Sequence, residues 1–223
     1  MNHNLLGLII TFAFVFAVLG VSALASKKAG KEISRKITHI GVANCWWIFI
    51  YFFDSPVWAS IPLASFVVLN FFSVKFNLIK SIEREEGGGG GAAAYGTVYY
   101  PLSMLILTIL AFGGHIDLYI GSIAVMCMGY GDGFAAVAGG RFGRHKLKFL
   151  KSDKSLEGCV AMFAASFVST GIILFCRDVD VIFALLKAVP IALAATVLEA
   201  VTPDGYDNIT VPLGVGLFVF TVF

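Results

Sequence analysis

The chain has 223 residues, is 58% hydrophobic and only 13% charged, and carries a formal charge of +2. Soluble domains carry about 25% charged residues, so this composition excludes an ordinary soluble enzyme. It calls for an all-α, polytopic integral membrane bundle of about seven to eight transmembrane helices, forming one membrane domain over residues 1–223, with no nucleic-acid partner.

Leu5–Ala25 is the first run long enough to span, since a membrane helix needs about 20 apolar residues. Ala23-Leu24-Ala25 resembles a signal cleavage site. No Lys or Arg precedes the run, however, and Lys27, Lys28 and Lys31 follow it, which suits a retained helix with its C-terminal end in the cytoplasm. A second span is expected over Ile37–Phe53, a tight turn at Asp54-Ser55-Pro56, and a third span over Val57–Val74. Gly87–Ala94 reads as a low-complexity linker. The fourth span covers Val98–Phe112, opened by Gly96-Thr97-Val98-Tyr99-Tyr100-Pro101, with Tyr99 and Tyr100 suited to the membrane interface. The fifth runs from Leu118 into a glycine-rich segment, the sixth covers Leu156–Phe175 and the seventh Val181–Glu199. The last run, Ile209–Phe223, would reach only about 22 Å as a helix, so it is either tucked against its neighbours or continued beyond this sequence. Cys45, Cys127, Cys159 and Cys176 lie scattered in or beside apolar runs and read as free thiols.

With eight spans, alternate loops share a face, and one face collects 14 of the 16 basic residues. The positive-inside rule makes that face cytoplasmic and puts both termini outside. Asp132, Glu157, Glu199, Asp204, Asp207, Asn208 and His39 fall on the same face.

The chemistry concentrates in Gly129–Gly158, where an acid and a set of glycines are followed by Arg141, Arg144, Lys146, Lys148, Lys151 and Lys154. The glycines have two readings. They are a backbone cradle for phosphate oxygens, or they are the small residues that tight membrane helix packing uses. Gly131-x-Gly133-x-x-Ala136 has the spacing of a dinucleotide fingerprint but not its strand–helix–strand context. Asp132 is either a Mg²⁺ ligand or an acid at a helix end reaching water, and the basic residues around it favour the first. Arg141, Arg144, Lys146 and Lys154 suit triphosphate contacts, whereas Lys148 and Lys151 equally suit lipid headgroups. Glu32, Arg35, Lys36 and His39 sit at helical spacing, as a salt-bridged helix start or as a wall of the site with His39 as base or phosphate ligand. Glu199, Asp207 and Asn208 offer oxygen ligands, and Asp207 and Asn208 also suit the N-terminus of the last helix.

Taken in order, five segments resemble the polyprenol, phytol and diacylglycerol kinase family, the membrane enzymes that use CTP. They are Glu32-x-x-Arg35-Lys36-x-x-His39; Gly96-Thr97-Val98-Tyr99-Tyr100-Pro101; Gly131-Asp132-Gly133-x-Ala135-Ala136 with Gly139-Gly140-Arg141-Phe142-Gly143; Lys154-Ser155-x-Glu157-Gly158; and Asp207-Asn208-Ile209-Thr210-Val211-Pro212. The resemblance implies phosphoryl transfer from CTP to a lipid alcohol at the cytoplasmic face, with the nucleotide bound by about residues 129–158. On that reading Asp132, Lys154, Glu157 and His39 are catalytic, with Glu157 orienting a lysine or the metal and His39 or Glu199 assisting the alcohol proton. Gly131, Gly133, Gly139, Gly140, Arg141, Gly143, Lys146, Ser155, Arg35 and Lys36 line the nucleotide. Asp132, Asp207, Asn208 and Glu199 hold Mg²⁺. Phytol, geranylgeraniol, polyprenols and diacylglycerol all present a hydroxyl on an apolar tail, so the residues do not choose among them. Two rivals remain: a phosphatidate cytidylyltransferase, which would release pyrophosphate, and a transporter, which should carry mid-membrane polar sites and an internal repeat.

Overall fold

The computed structural model describes residues 2–76, 92–147 and 154–222. Among these the chain is helical apart from turns and one isolated antiparallel bridge between Lys146 and Ser155. Helix α1 (His3–Ala29) begins where the Asn2 side chain accepts the Asn4 amide, and ends at Gly30, whose φ of 90° disfavours a side chain. Two short helices, α2 (Lys31–Ala43) and α3 (Cys45–Phe52), then double back along it. At one end Ser22 and Ser34 each donate to the other's carbonyl, at 2.7 and 2.8 Å. At the other, His3 Nδ1 lies 3.1 Å from the Phe52 carbonyl and Asn4 donates to Asp54 at 2.9 Å. Together α2 and α3 retrace the length of α1, with Asn44 as the break.

The remaining helices are α4 (Pro56–Lys75), α5 (Ala92–Phe112), α6 (Leu118–Met126), a π-helical stretch (Cys127–Asp132), α7 (Gly133–Phe142), α8 (Leu156–Phe175), α9 (Val181–Val201) and α10 (Asp207–Val222). Neighbours close a ring in the order α1, α2, α7, α8, α9, α10, α5, α4 and back to α1. Within the ring runs α6 with the π-helical stretch, buried without a break from Ile120 to Gly129. It is clasped by α2, α8, α9 and α10, and Trp46 of α3 donates to Ser122 of α6 at 2.8 Å.

Hydropathy predicts eight crossings, whereas six helices among the described residues are long and apolar enough to span: α1, α4, α5, the continuous Leu118–Phe142, α8 and α9. The expected second span is divided, because its first half carries Thr38 and His39 and Asn44 interrupts it. The last is only 16 residues, about 24 Å against a hydrocarbon core of about 30 Å. Val211, Val215 and Val219 of α10 are fully buried, so this short helix is tucked among α5, α6 and α9.

The fourth span also differs from its expected start. Of the predicted linker, Gly87–Gly91 lies outside the described residues, and from Ala92 the chain is already α5. Pro101 is therefore inside a helix and has no amide for the carbonyl four residues back, that of Thr97. Asn70 of α4 takes over that carbonyl with its side-chain amide at 2.8 Å. Asn70→Leu should lower thermal stability in detergent by about 1–3 kcal/mol through loss of the Asn70 hydrogen bond to this carbonyl. Adding Pro101→Ala should recover most of that loss, because residue 101 regains an amide; a double variant as unstable as the single one would refute this account.

Candidate functional site

The site begins with the wide turn at the centre of the bundle. The π-helical stretch, Cys127–Asp132, carries Gly129 and Gly131 and is followed by Gly133, residues with weak α-helical preference. It is also where other helices come closest. A Cβ on Gly129 would lie 2.3 Å from Ala43, and one on Gly133 2.4 Å from Ile40, both on α2; one on Gly131 would lie 2.6 Å from Met162 and Ser166 of α8. π turns shift the side chains that follow them and recur at functional sites. Here the turn delivers Asp132, which is 5% exposed.

Asp132 Oδ2 accepts from Lys36 Nζ at 2.6 Å and lies 3.2 Å from His39 Nε2. Lys36 and His39 are three apart on α2, so both reach the same oxygen. His39 Nε2 is also 3.3 Å from the Met128 carbonyl. Both of its neighbours are oxygen acceptors, which puts the imidazole hydrogen on Nε2 and leaves Nδ1 with the lone pair of the neutral ring. Tyr100 of α5 fixes the ring from above: its plane stacks on the imidazole at 4.3 Å and 16°, and its hydroxyl donates to the His39 carbonyl at 2.9 Å. Tyr100 is thus buried in the site rather than at the interface, whereas Tyr99 stacks on Tyr206 at 5.6 Å.

A second ion pair lies beside the first. Lys154, just before α8, meets Glu199 Oε1 of α9 at 2.8 Å and also donates to the Glu199 carbonyl. Both side chains are less than a tenth exposed. At the head of α10, Asp207 Oδ1 accepts from the amides of Gly205 and Asn208 at 3.1 and 2.9 Å, so it orders the turn before the helix rather than serving the second or third helical amide as an N-cap would. Asn208 Oδ1 is buried without a hydrogen-bond partner among the described residues. Asp132 interacts electrostatically with Lys154 as well as with Lys36 and His39, Glu199 with Asp132 and Lys36, and Asp207 with Asp132, Lys154 and Lys36. Six ionisable groups from five parts of the chain therefore form one charged cluster at one end of an apolar bundle. A charge at that depth is costly unless paired, which the two lysine–carboxylate contacts answer.

Other predicted site residues stand outside this cluster. Arg35 turns to Glu32 at 2.6 Å on the exposed side of α2, leaving Lys36 for Asp132. Glu157 meets neither lysine nor the cluster; its carboxylate accepts from the His145 amide and meets His145 Nδ1 at 2.7 Å. Arg141 is exposed in the last turn of α7, and Arg144 and Lys146 are exposed just beyond it, where Lys146 bridges to Ser155. Ser155 is buried and caps α8 by accepting the Gly158 amide at 3.2 Å. Gly139 and Gly143 face Ser155, while Gly140 has open space on its side. Lys148 and Lys151 lie outside the described residues, as does part of the predicted nucleotide segment. Sequence reasoning missed Tyr100 as a support for His39, and missed Asn44 and Tyr130, whose side chains meet at 2.9 Å. Their only sequence signal is polarity inside apolar runs.

The chain is 33% identical over 200 residues to a phytol kinase of Synechocystis sp., covering 85% of this chain and 78% of that protein. It is 33% identical over 234 residues to a probable chloroplastic phytol kinase of Triticum aestivum, covering 97% and 76%. A dolichol kinase of Schizosaccharomyces pombe is 31% identical over 94 residues, 41% of this chain and 17% of that protein. No family model and no solved structure matches.

The glycine geometry makes a separable prediction. Gly133→Ala should lower thermal stability, because its Cβ would meet Ile40 at 2.4 Å. Gly140→Ala should melt within about 1 kcal/mol of the native protein, since only helix propensity changes there. Equal melting of the two variants would contradict the packing role of Gly133.

Proposed function

The chain belongs to the phytol kinase family, and from that premise we propose that it phosphorylates a single-chain isoprenoid alcohol with CTP, assisted by Mg²⁺, at the cytoplasmic membrane face. The observation that carries the reading is the buried Lys36–Asp132–His39 contact beside the Lys154–Glu199 pair and Asp207–Asn208. Phosphoryl transfer asks a protein for position and charge rather than for covalent chemistry, and a cluster of acids and lysines at the mouth of an apolar bundle suits that demand. The strongly one-sided distribution of basic residues supports the cytoplasmic face. The ordered motifs support CTP and the segment 129–158 as its binding region.

The donor set fits Mg²⁺, a hard ion that takes one or two carboxylates and completes its shell with phosphate oxygens and water. Among the described residues no three His, Cys, Asp or Glu side chains form a cage by themselves. Asp132, Asp207 and the buried Asn208 Oδ1, unpartnered among the described residues, would hold the ion, with Glu199 near them. Bound there, Mg²⁺ would neutralise charge on the phosphoryl oxygens. Lys36 and Lys154 would contact phosphate oxygens, with the exposed Arg141 and Lys146 as further cations for the nucleotide. In the reaction the alcohol oxygen bonds to the γ-phosphorus, the bond to the β–γ bridging oxygen breaks, and CDP leaves. His39 Nδ1 takes the alcohol proton while Asp132 and Tyr100 hold the ring.

The test is transfer of label from γ-labelled CTP into the organic phase with a panel of lipid alcohols, with ATP in parallel. Label should move to an isoprenoid alcohol, and Asp132→Asn should cut the rate by at least about 100-fold, the scale of a lost charge-stabilising group. Label from α-labelled CTP moving to phosphatidate, with pyrophosphate released, would instead identify a cytidylyltransferase. No transfer with any lipid would overturn the proposal.

A further inference from the structure

We propose that the hydrogen-bonded pair Asn44–Tyr130 is the docking site for the hydroxyl of the acceptor lipid, an assignment that rests on the lipid-alcohol kinase reading. Asn44 breaks α2 from α3, and Tyr130 lies in the π-helical stretch. Tyr130 donates its hydroxyl to Asn44 Oδ1 at 2.9 Å, and Asn44 Nδ2 donates to the Ile40 carbonyl at 2.8 Å. Both residues are half-buried, whereas Asp132 is 5% exposed. Polar side chains inside membrane spans are costly and mark substrate routes.

The pair is matched to a hydroxyl. A phenol that has donated its hydrogen keeps lone pairs to accept one, and a primary amide with one hydrogen on Ile40 has a second to donate. One acceptor and one donor, both neutral, complement an alcohol as it docks, its hydrogen turning from Tyr130 to His39 only for the reaction, and offer no charge to a carboxylate or phosphate. The position is also right. The pair joins the two elements that carry His39 and Asp132, the end of α2 and the π-helical stretch. On the outer side Phe134 stacks on Tyr130 at 6.4 Å and 13° and is 48% exposed, and Val137, one turn along α7, is 36% exposed. These two give the apolar tail a surface beside the docked hydroxyl, along the seam of α2 and α7.

A diazirine-bearing isoprenol tests the site without turnover. Irradiated with the native protein in detergent, it should label the segments containing Asn44 or Tyr130–Val137, and unlabelled prenol should compete. Tyr130→Phe and Asn44→Ala should each weaken competition by about tenfold, the effect of one hydrogen bond in an apolar site. Binding of a fluorescent CTP analogue should be unchanged, and Asp132→Asn should still be labelled. Labelling confined to other segments, or variants that compete as the native protein does while only melting earlier, would overturn the proposal. A native protein that phosphorylates no alcohol yet labels at Tyr130 would sink the proposed reaction and leave this binding site. An active kinase labelled elsewhere would do the reverse.

Discussion

A lysine and an aspartate cannot sit inside an apolar bundle unless each has the other. The Lys36–Asp132 contact meets that condition between partners 96 positions apart in the chain. Removing either charge would strand the other where water does not reach it, a far larger loss than any surface ion pair involves. The contact therefore constrains how α2 lies on the central helix, and with it the placement of His39. The Lys154–Glu199 pair imposes the same condition on α8 and α9. Between them the two pairs tie the ring of helices together at the end where the chemistry is proposed.

The backbone makes these contacts reachable. Glycines at 129 and 133 let α2 approach the central helix closely enough for the Lys36 stem to reach Asp132. The wider π-helical turn sets the direction in which Asp132 emerges. Asn44 ends α2 so that its polar half stays at the site and its aromatic continuation, α3, packs on α6 through Trp46. Pro101 would leave a bare carbonyl in the membrane had Asn70 not been placed opposite it. Each departure from a regular helix in this group comes with a specific partner, as expected where lipid offers backbone groups none.

Much of this was legible beforehand. Hydropathy located the helices, and the motifs named Asp132, His39, Lys36, Lys154, Glu199, Asp207 and Asn208, all of which the fold draws into one cluster. Local reading fell short in three places. Glu32 pairs with Arg35 on its own side of α2, as a salt-bridged helix start requires, but Lys36 has a buried partner that no helical wheel displays. Glu157 turns to His145 across the short return before α8, a contact created by the loop and not by helix spacing. Tyr100 is carried inward because α5 starts earlier than hydropathy suggests and its face is set by packing on α4 and α10.

The sequence by itself determined the environment, the helical class and the order of the chemical motifs, because hydrophobicity is a local sum and motifs are local strings. Only the tertiary structure decided which crossings are whole and which are divided, and which base meets which acid. It also decided that Asn208 keeps a buried oxygen without a partner among the described residues. Those outcomes depend on the rotation and closeness of helices far apart in the chain, which glycine contacts, a π turn and buried charge pairing settle together.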